Sequence, residues 1–248
     1  MNSAVTAILY APGTNCHEET AAALERAGGR SELVLLRDLV AGDTRLGRYQ
    51  AMIVPGGFAY GDHLGAGRVF GTMLVAALRD QLTEFLDAGK PLLGICNGFQ
   101  VLAEAGILPG RAPGCRGMVL LENESAHFED RVVRLVVSED PSPWIEGLAG
   151  RILVMPSAHA EGRPLLADSK SEASSRVAFR YCNATGAPTG DYPDNPSGSP
   201  GSVAGIADST GRVLGLMPHP ERAALAVHES QDGLELFKNL VRWLRRLT

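Results

Sequence analysis

Two kinds of apolar pattern alternate along the first hundred residues. Short continuous runs at Val5–Tyr10, Glu32–Leu36, Ala51–Val54 and Pro91–Ile95 predict buried strands. Between them, apolar residues recur at helical spacing over Glu18–Ala27, Thr72–Ala88 and Gly98–Ala105. Strands that alternate with helices in this way predict βαβ units, hence an α/β fold: an open, mainly parallel sheet flanked by helices. In such a sheet ligands gather beyond the carboxyl ends of the strands.

From Met118 onward the pattern changes. Short strands are predicted at Met118–Leu121, Arg131–Val137, Ile152–Met155 and Val177–Tyr181, followed by a hairpin of Val203–Ala207 with Val213–Met217 that turns at Asp208-Ser209-Thr210-Gly211. These strands are expected to extend the sheet antiparallel. Asn183 to Ser202 holds four glycines and four prolines, which rules out a regular element there. That stretch is either a mobile loop or a partner contact. The arginines of Val241–Leu247 form the wet face of a terminal helix. The whole chain, residues 1–248, is expected to be one domain.

The apolar run Pro91-Leu92-Leu93-Gly94-Ile95 ends at Cys96-Asn97-Gly98-Phe99-Gln100, a cysteine bracketed by glycines where a strand gives way to a helix. This is the arrangement of a nucleophile elbow, whose sharp turn thrusts the central side chain out of the backbone and tolerates only small flanking residues. A cysteine at a helix N-terminus is favoured as thiolate, and the backbone N–H of the next residue, Asn97, is free to hold an oxyanion. Against this stands the plain alternative that free cysteines are commonly buried packing residues.

A nucleophile needs a base, and the chain offers two similar candidates. Val213–Met217 runs into Pro218-His219-Pro220-Glu221, and Met155–Ala158 runs into His159-Ala160-Glu161. Residues two apart in an extended segment point the same way, so either glutamate can orient its histidine. Spacing alone does not choose between His159 and His219. The other histidines, His17, His63, His127 and His228, lie in polar or turn-like surroundings that suit surface or structural roles.

Composition narrows the partners. With 23 basic and 28 acidic residues the net charge is −5, which gives no electrostatic footprint for nucleic acid. No apolar run approaches the length of a membrane span, and no basic, apolar leader opens the chain. The four cysteines, Cys16, Cys96, Cys115 and Cys182, show no metal-ligand spacing and suit reduced thiols in a cytoplasmic protein. No metal or organic cofactor is signalled. The Gly56-Gly57 and Gly65-x-Gly67 pairs match neither phosphate-binding glycine pattern.

Three stretches taken together carry a resemblance: Val54-Pro55-Gly56-Gly57-Phe58-Ala59-Tyr60-Gly61-Asp62, the elbow Gly94–Gln100, and Met217-Pro218-His219-Pro220-Glu221-Arg222-Ala223. With Pro12–Cys16, Glu104–Gly110 and Asp232–Phe237, they resemble class I glutamine amidotransferases along nearly the whole chain. More narrowly they resemble the glutaminase subunits of phosphoribosylformylglycinamidine synthase. The resemblance implies a flavodoxin-like amidotransferase fold, with Cys96 as nucleophile, His219 as general acid and base, and Glu221 as its orienter. It implies an oxyanion hole at the N–H groups of Gly57 and Asn97, with Gln100 and His159 lining the glutamine pocket.

Departures from the family pattern fall at Gly65, Asp130, Ala160 and Ser197, of which Ala160 adds a methyl close to the substrate. The implied partner is an ATP- and Mg-dependent synthetase subunit, with a small bridging subunit, that converts formylglycinamide ribonucleotide to formylglycinamidine ribonucleotide in purine biosynthesis. The competing readings are a glutaminase subunit of another ammonia-using synthase, a DJ-1-like cysteine hydrolase, and a degenerate amidotransferase kept as a binding module. A cysteine-bearing α/β-hydrolase is disfavoured because its acid precedes its histidine.

Overall fold

Strands whose every side chain is buried form the centre of the protein. A computed structural model describes residues 4–247, and in it the first half of the chain runs β1 (Thr6–Tyr10), α1 (His17–Arg26), β2 (Ser31–Leu35), α2 (Leu36–Ala41), β3 (Ala51–Val54), α3 (Arg68–Asp87), β4 (Leu92–Ile95) and α4 (Asn97–Glu104). All four residues of β3 and of β4 are buried, as a strand covered on both faces requires. The second half runs β5 (Met118–Leu121), β6 (Glu129–Val137), β7 (Ile152–His159), β8 (Arg163–Leu166), α5 (Ser169–Ala173), β9 (Ser175–Tyr181), β10 (Val203–Asp208), β11 (Val213–Leu216) and α6 (Leu234–Arg245).

Nine strands join in the order β2-β1-β3-β4-β11-β10-β9-β6-β7. The pairs from β2 through β11 are parallel, and those from β11 through β7 are antiparallel. The sheet grows from β1 toward β2 on one side and from β3 toward β4 on the other. Right-handed crossovers therefore put α1 and α3 on opposite faces. The terminal helix α6 packs beside α1, and α4 packs beside α3. Among the described residues no helix is long and apolar enough to cross a membrane.

The expectation that every later strand extends the sheet antiparallel needs two corrections. First, β11 is parallel to β4, with Leu216 opposite Ile95. The hairpin with β10 is formed as expected, and Asp208 carboxylate oxygens accept from the N–H groups of Thr210 and Val213 across its turn. A hairpin strand laid beside β4 has to match the direction of one neighbour only, and β11 completes the parallel half while β10 begins the antiparallel one. Second, β5 pairs with β8, a strand not foreseen, in a separate two-stranded ribbon.

The Asn183–Ser202 stretch is irregular, ending in a single helical turn at Pro200–Ser202, but it is not a loosely attached loop. Asn195, Ser197 and Ser199 are buried, and the Asn195 side chain bonds the backbone of Ser199 in both directions. Those local bonds satisfy backbone groups that no ladder serves.

Candidate active site

Cys96 joins β4 to α4 with φ 49° and ψ −106°, a conformation that L residues avoid and that costs about 1–3 kcal/mol. The surroundings hold it there. Its N–H donates to the Leu216 carbonyl (2.8 Å), and its carbonyl accepts from the Gln100 N–H (3.1 Å). Gly98 permits the close approach of strand and helix, because a Cβ at that position would lie 1.9 Å from the Val54 carbonyl oxygen. The thiol is 6 % exposed, and its S–H donates to the Ala158 carbonyl at 3.3 Å.

His219 follows the end of β11, so the parallel pairing of β11 with β4 sets it beside the elbow. Its N–H donates to the Pro156 carbonyl at 2.7 Å, which anchors it to β7. Nδ1 lies 2.6 Å from Glu221 Oε1, and both side chains are buried. The other ring nitrogen, Nε2, has no completed hydrogen bond, a common state of a catalytic base before substrate arrives. Burial alone pushes the imidazole pKa down, but the Glu221 carboxylate and the Cys96 and Cys16 thiols outweigh it and hold the ring well above the usual histidine range.

Gly57 lies just beyond β3 with φ 144°, and a Cβ there would meet the Asn15 nitrogen at 2.6 Å, so no other residue fits. Asn97 opens α4, where the first backbone N–H groups lack helical partners. Its side chain links the elbow to the loop after β3. Asn97 Oδ1 accepts from the Ala59 N–H (3.0 Å), and Nδ2 donates to Asp62 Oδ1 (2.9 Å) and to Gln100 Oε1 (3.0 Å). Gln100 Nε2 in turn donates to the Glu161 carbonyl (2.7 Å). Gly57, Cys96, Gln100, His159 and Ala160 line one small pocket, with Phe58 and Phe128 at its half-exposed rim.

His159 ends β7, and its surroundings differ from those of His219. Its partner is Asn123, not Glu161. Asn123 Nδ2 donates to the carbonyls of His159 (2.7 Å) and His127 (3.0 Å), which leaves Oδ1 to accept from the Gly162 N–H (3.1 Å) and from His159 Nδ1 (3.0 Å). Burial, with a smaller push from His219, lowers the His159 pKa to about 4, so the ring is neutral at physiological pH. All seven residues singled out from sequence thus converge, from the ends of β3, β4, β7 and β11.

Three neighbours were not assigned roles from the sequence. Asn123 orients His159, and a single asparagine in a polar stretch carries no signal of that. Cys16, at the start of α1, lies against His219, where it accepts from the Arg222 guanidinium (3.3 Å) and donates to Asn15 Oδ1 (3.2 Å). One ligand atom each of Cys16, His219 and Glu221 lie within 4.8 Å of one another, a donor set that can hold a soft divalent ion. His219 Nδ1, however, is already engaged by Glu221. Asp62 also lines the pocket, and its place in the Gly56–Asp62 motif was the available clue.

Comparison with known proteins shows the family of the chain. The family model for the CobB/CobQ-like glutamine amidotransferase domain matches residues 3–244. The PurQ subunit of phosphoribosylformylglycinamidine synthase from Dehalococcoides mccartyi is 39 % identical over the full length of both chains. That from Pyrococcus furiosus is 38 % identical, covering 96 % of this chain and 98 % of its own. A chain of the PurLQS structure from Thermotoga maritima superposes with a TM-score of 0.79 at 31 % identity, covering 98 % of this chain and 99 % of that one. An elbow cysteine, a buried histidine–glutamate pair and full-length likeness to these subunits place the chain in the CobB/CobQ-like glutamine amidotransferase family, among the glutaminase subunits of phosphoribosylformylglycinamidine synthase.

Proposed function

We propose that this chain, working as one amidotransferase domain, releases ammonia from glutamine through a thioester on Cys96. The observation that carries this reading is the 2.6 Å contact of His219 with Glu221 beside a cysteine held at an elbow. As the Cys96 thiol passes its proton to His219, the sulfur attacks the carboxamide carbon, and the carbonyl oxygen becomes an oxyanion facing the N–H groups of Gly57 and Asn97. Collapse of that intermediate breaks the carbon–nitrogen bond. His219 gives its proton to the leaving nitrogen, and ammonia departs. Water, deprotonated by His219, then attacks the thioester through a second oxyanion; the carbon–sulfur bond breaks, His219 returns the proton to the Cys96 sulfur, and glutamate is released. Glu221 keeps the imidazole oriented and stabilises its charged form.

The ammonia serves the partner synthetase subunit, which makes formylglycinamidine ribonucleotide in purine biosynthesis. We assign ATP and Mg to that partner and a cytoplasmic location to the complex, in keeping with the relatives named PurQ and the PurLQS assembly. The chemistry assigned to this chain is complete with its own side chains and water.

The test is Cys96→Ala in the reconstituted complex. Glutamine-dependent synthesis is expected to vanish while ammonia-dependent synthesis persists. More than a few per cent of residual glutaminase activity would overturn the assignment of the nucleophile.

A further inference from the structure

One edge of β7 touches both catalytic residues, Cys96 and His219, and a third, Asp232, that the thioester chemistry does not use. That edge has no partner strand among the described residues, so its backbone groups need partners from elsewhere. Alternate residues of a strand direct those groups to the same side. The Ala158 carbonyl accepts from the Cys96 S–H (3.3 Å), and the Pro156 carbonyl accepts from the His219 N–H (2.7 Å). A proline at 156 leaves no N–H on that edge to satisfy. The Val154 N–H donates to Asp232 Oδ2 (2.8 Å), across 78 residues of chain.

The segment that carries Asp232 also presses on the catalytic turn. Asp232 and Gly233 lie between the helical turn Pro220–Ala223 and α6. Gly233 is buried, and a Cβ on it would lie 2.1 Å from the Pro220 carbonyl oxygen and 2.6 Å from Pro220 Cα. Only glycine lets the two backbones come this close. Pro220 is the residue between His219 and Glu221. The contacts therefore close a ring: Val154 to Asp232, Gly233 to Pro220, His219 to Pro156, and along β7 back to Val154. Asp232 is itself fixed, its N–H donating to Ser230 Oγ (3.1 Å) and its carbonyl accepting from the Glu235 N–H (3.2 Å) at the start of α6.

We propose that Asp232 and Gly233 form a clamp that sets the His219 imidazole against the Cys96 sulfur, an inference that rests on the glutaminase reading above. Asp232 is a positioning residue: its carboxylate bonds the Val154 N–H and acts through the strand that seats the catalytic pair. Cys96 takes its backbone support from β11, through the Leu216 carbonyl, whereas the His219 N–H takes its support from β7. A shift of β7 or of the Pro220 turn therefore moves imidazole relative to sulfur. A displacement of about 1 Å in such a pair can cost on the order of 10²-fold in rate. The Asp232–Phe237 stretch, singled out by the sequence, thereby gains a physical reason at its first two residues.

The experiment is a length series at Asp232 in the reconstituted complex. Asp232→Asn keeps an acceptor at the same reach, and its glutaminase kcat should stay within about threefold of wild type. Asp232→Glu keeps the charge but is one methylene longer, and Asp232→Ala has no acceptor. Both should lower kcat at least about tenfold with KM for glutamine within about twofold, the split expected when geometry is lost only in the transition state. Gly233→Ala should give the same split. If Asp232→Ala or Gly233→Ala fails to assemble, Asp232→Glu decides.

A second measurement needs no turnover. Iodoacetamide labels each thiol according to its reactivity, and the exposed Cys115 serves as a standard within the same chain. The ratio of Cys96 to Cys115 labelling should fall at least about threefold in Asp232→Glu and hold in Asp232→Asn. An unchanged kcat in Asp232→Glu, a kcat as low in Asp232→Asn as in Asp232→Ala, or a labelling ratio unaltered by Asp232→Glu would overturn the clamp. Failure of the glutaminase reading has a different signature, namely wild-type complex that releases no ammonia from glutamine or a Cys96→Ala complex that still does.

Discussion

The two segments His159-Ala160-Glu161 and His219-Pro220-Glu221 have the same residues at the same spacing and opposite fates. In the second, imidazole and carboxylate meet at 2.6 Å in a buried pair, and the ring's pKa is held up. In the first, the ring turns to Asn123, the glutamate side chain bonds the Ala66 N–H, and burial lowers the pKa to about 4. A His-x-Glu spacing is thus permissive and not decisive. His219 enters a helical turn whose Pro220 brings Glu221 back under the ring, whereas Glu161 leaves the end of β7 toward the loop that follows β3. One histidine is equipped to carry a proton and the other to stay neutral and accept a hydrogen bond.

The comparison breaks most visibly in turnover. In the proposed mechanism His219 carries the proton, so His219→Asn should lower glutaminase kcat at least about 10²-fold, as read by ammonia release in the complex. Glu221→Gln should cost less than His219→Asn, because the ring remains and only its charge partner is lost. A Glu221→Gln enzyme as active as wild type would reduce that contact to packing. His159→Gln is expected to act in the other direction: KM for glutamine rises severalfold while kcat changes little, measured in the same assay. A kcat loss at His159 matching that at His219 would mean that both rings move protons.

The stability of the fold sharpens the same contrast. His159 has a lower pKa folded than unfolded, so the unfolded chain takes up the proton first. Its neutral form supports the fold fully above about pH 6.5, and stability is lost as pH falls from there toward about 4, a difference on the order of 3 kcal/mol. His219 has the opposite sign. Its raised pKa gives stability that is present below the ordinary histidine range and lost as pH rises through the folded value. Urea unfolding across pH 4–7 should therefore show a flatter slope in His159→Gln than in wild type, and an identical slope would refute the buried neutral assignment.

Much of the site was legible before folding because its chemistry is local. The turn at Cys96 needs glycines within two residues and so leaves a compact signature, whereas the two His-x-Glu segments stand out only as equal candidates, and His219 and Glu221 meet in a helical turn at Pro220–Ala223 instead of the extended segment expected. The parallel half of the sheet was legible for a similar reason. Strands buried on both faces cannot alternate, and β3 and β4 were expected within a residue of where they lie. Partner strands in the second half are chosen by long-range packing, and local pattern does not encode that choice. Hence the departure of β5 and β8 into their own ribbon, and the parallel seat of β11, had no counterpart in the pattern.

By itself, then, the sequence determined the α/β alternation, the elbow and the family. Only the tertiary structure decided which histidine faces which partner, because that depends on groups far apart in the chain. Although β7 closes the far edge of the sheet, its last residues reach back to the elbow, where the Pro156 carbonyl takes the His219 N–H and the Ala158 carbonyl takes the Cys96 thiol. Asn123 and Asp62 likewise acquire roles only through contacts 36 and 35 residues away, with His159 and Asn97. Spacing along a chain fixes what near neighbours can do together, but burial and hydrogen bonding between distant segments fix which of those possibilities is realised.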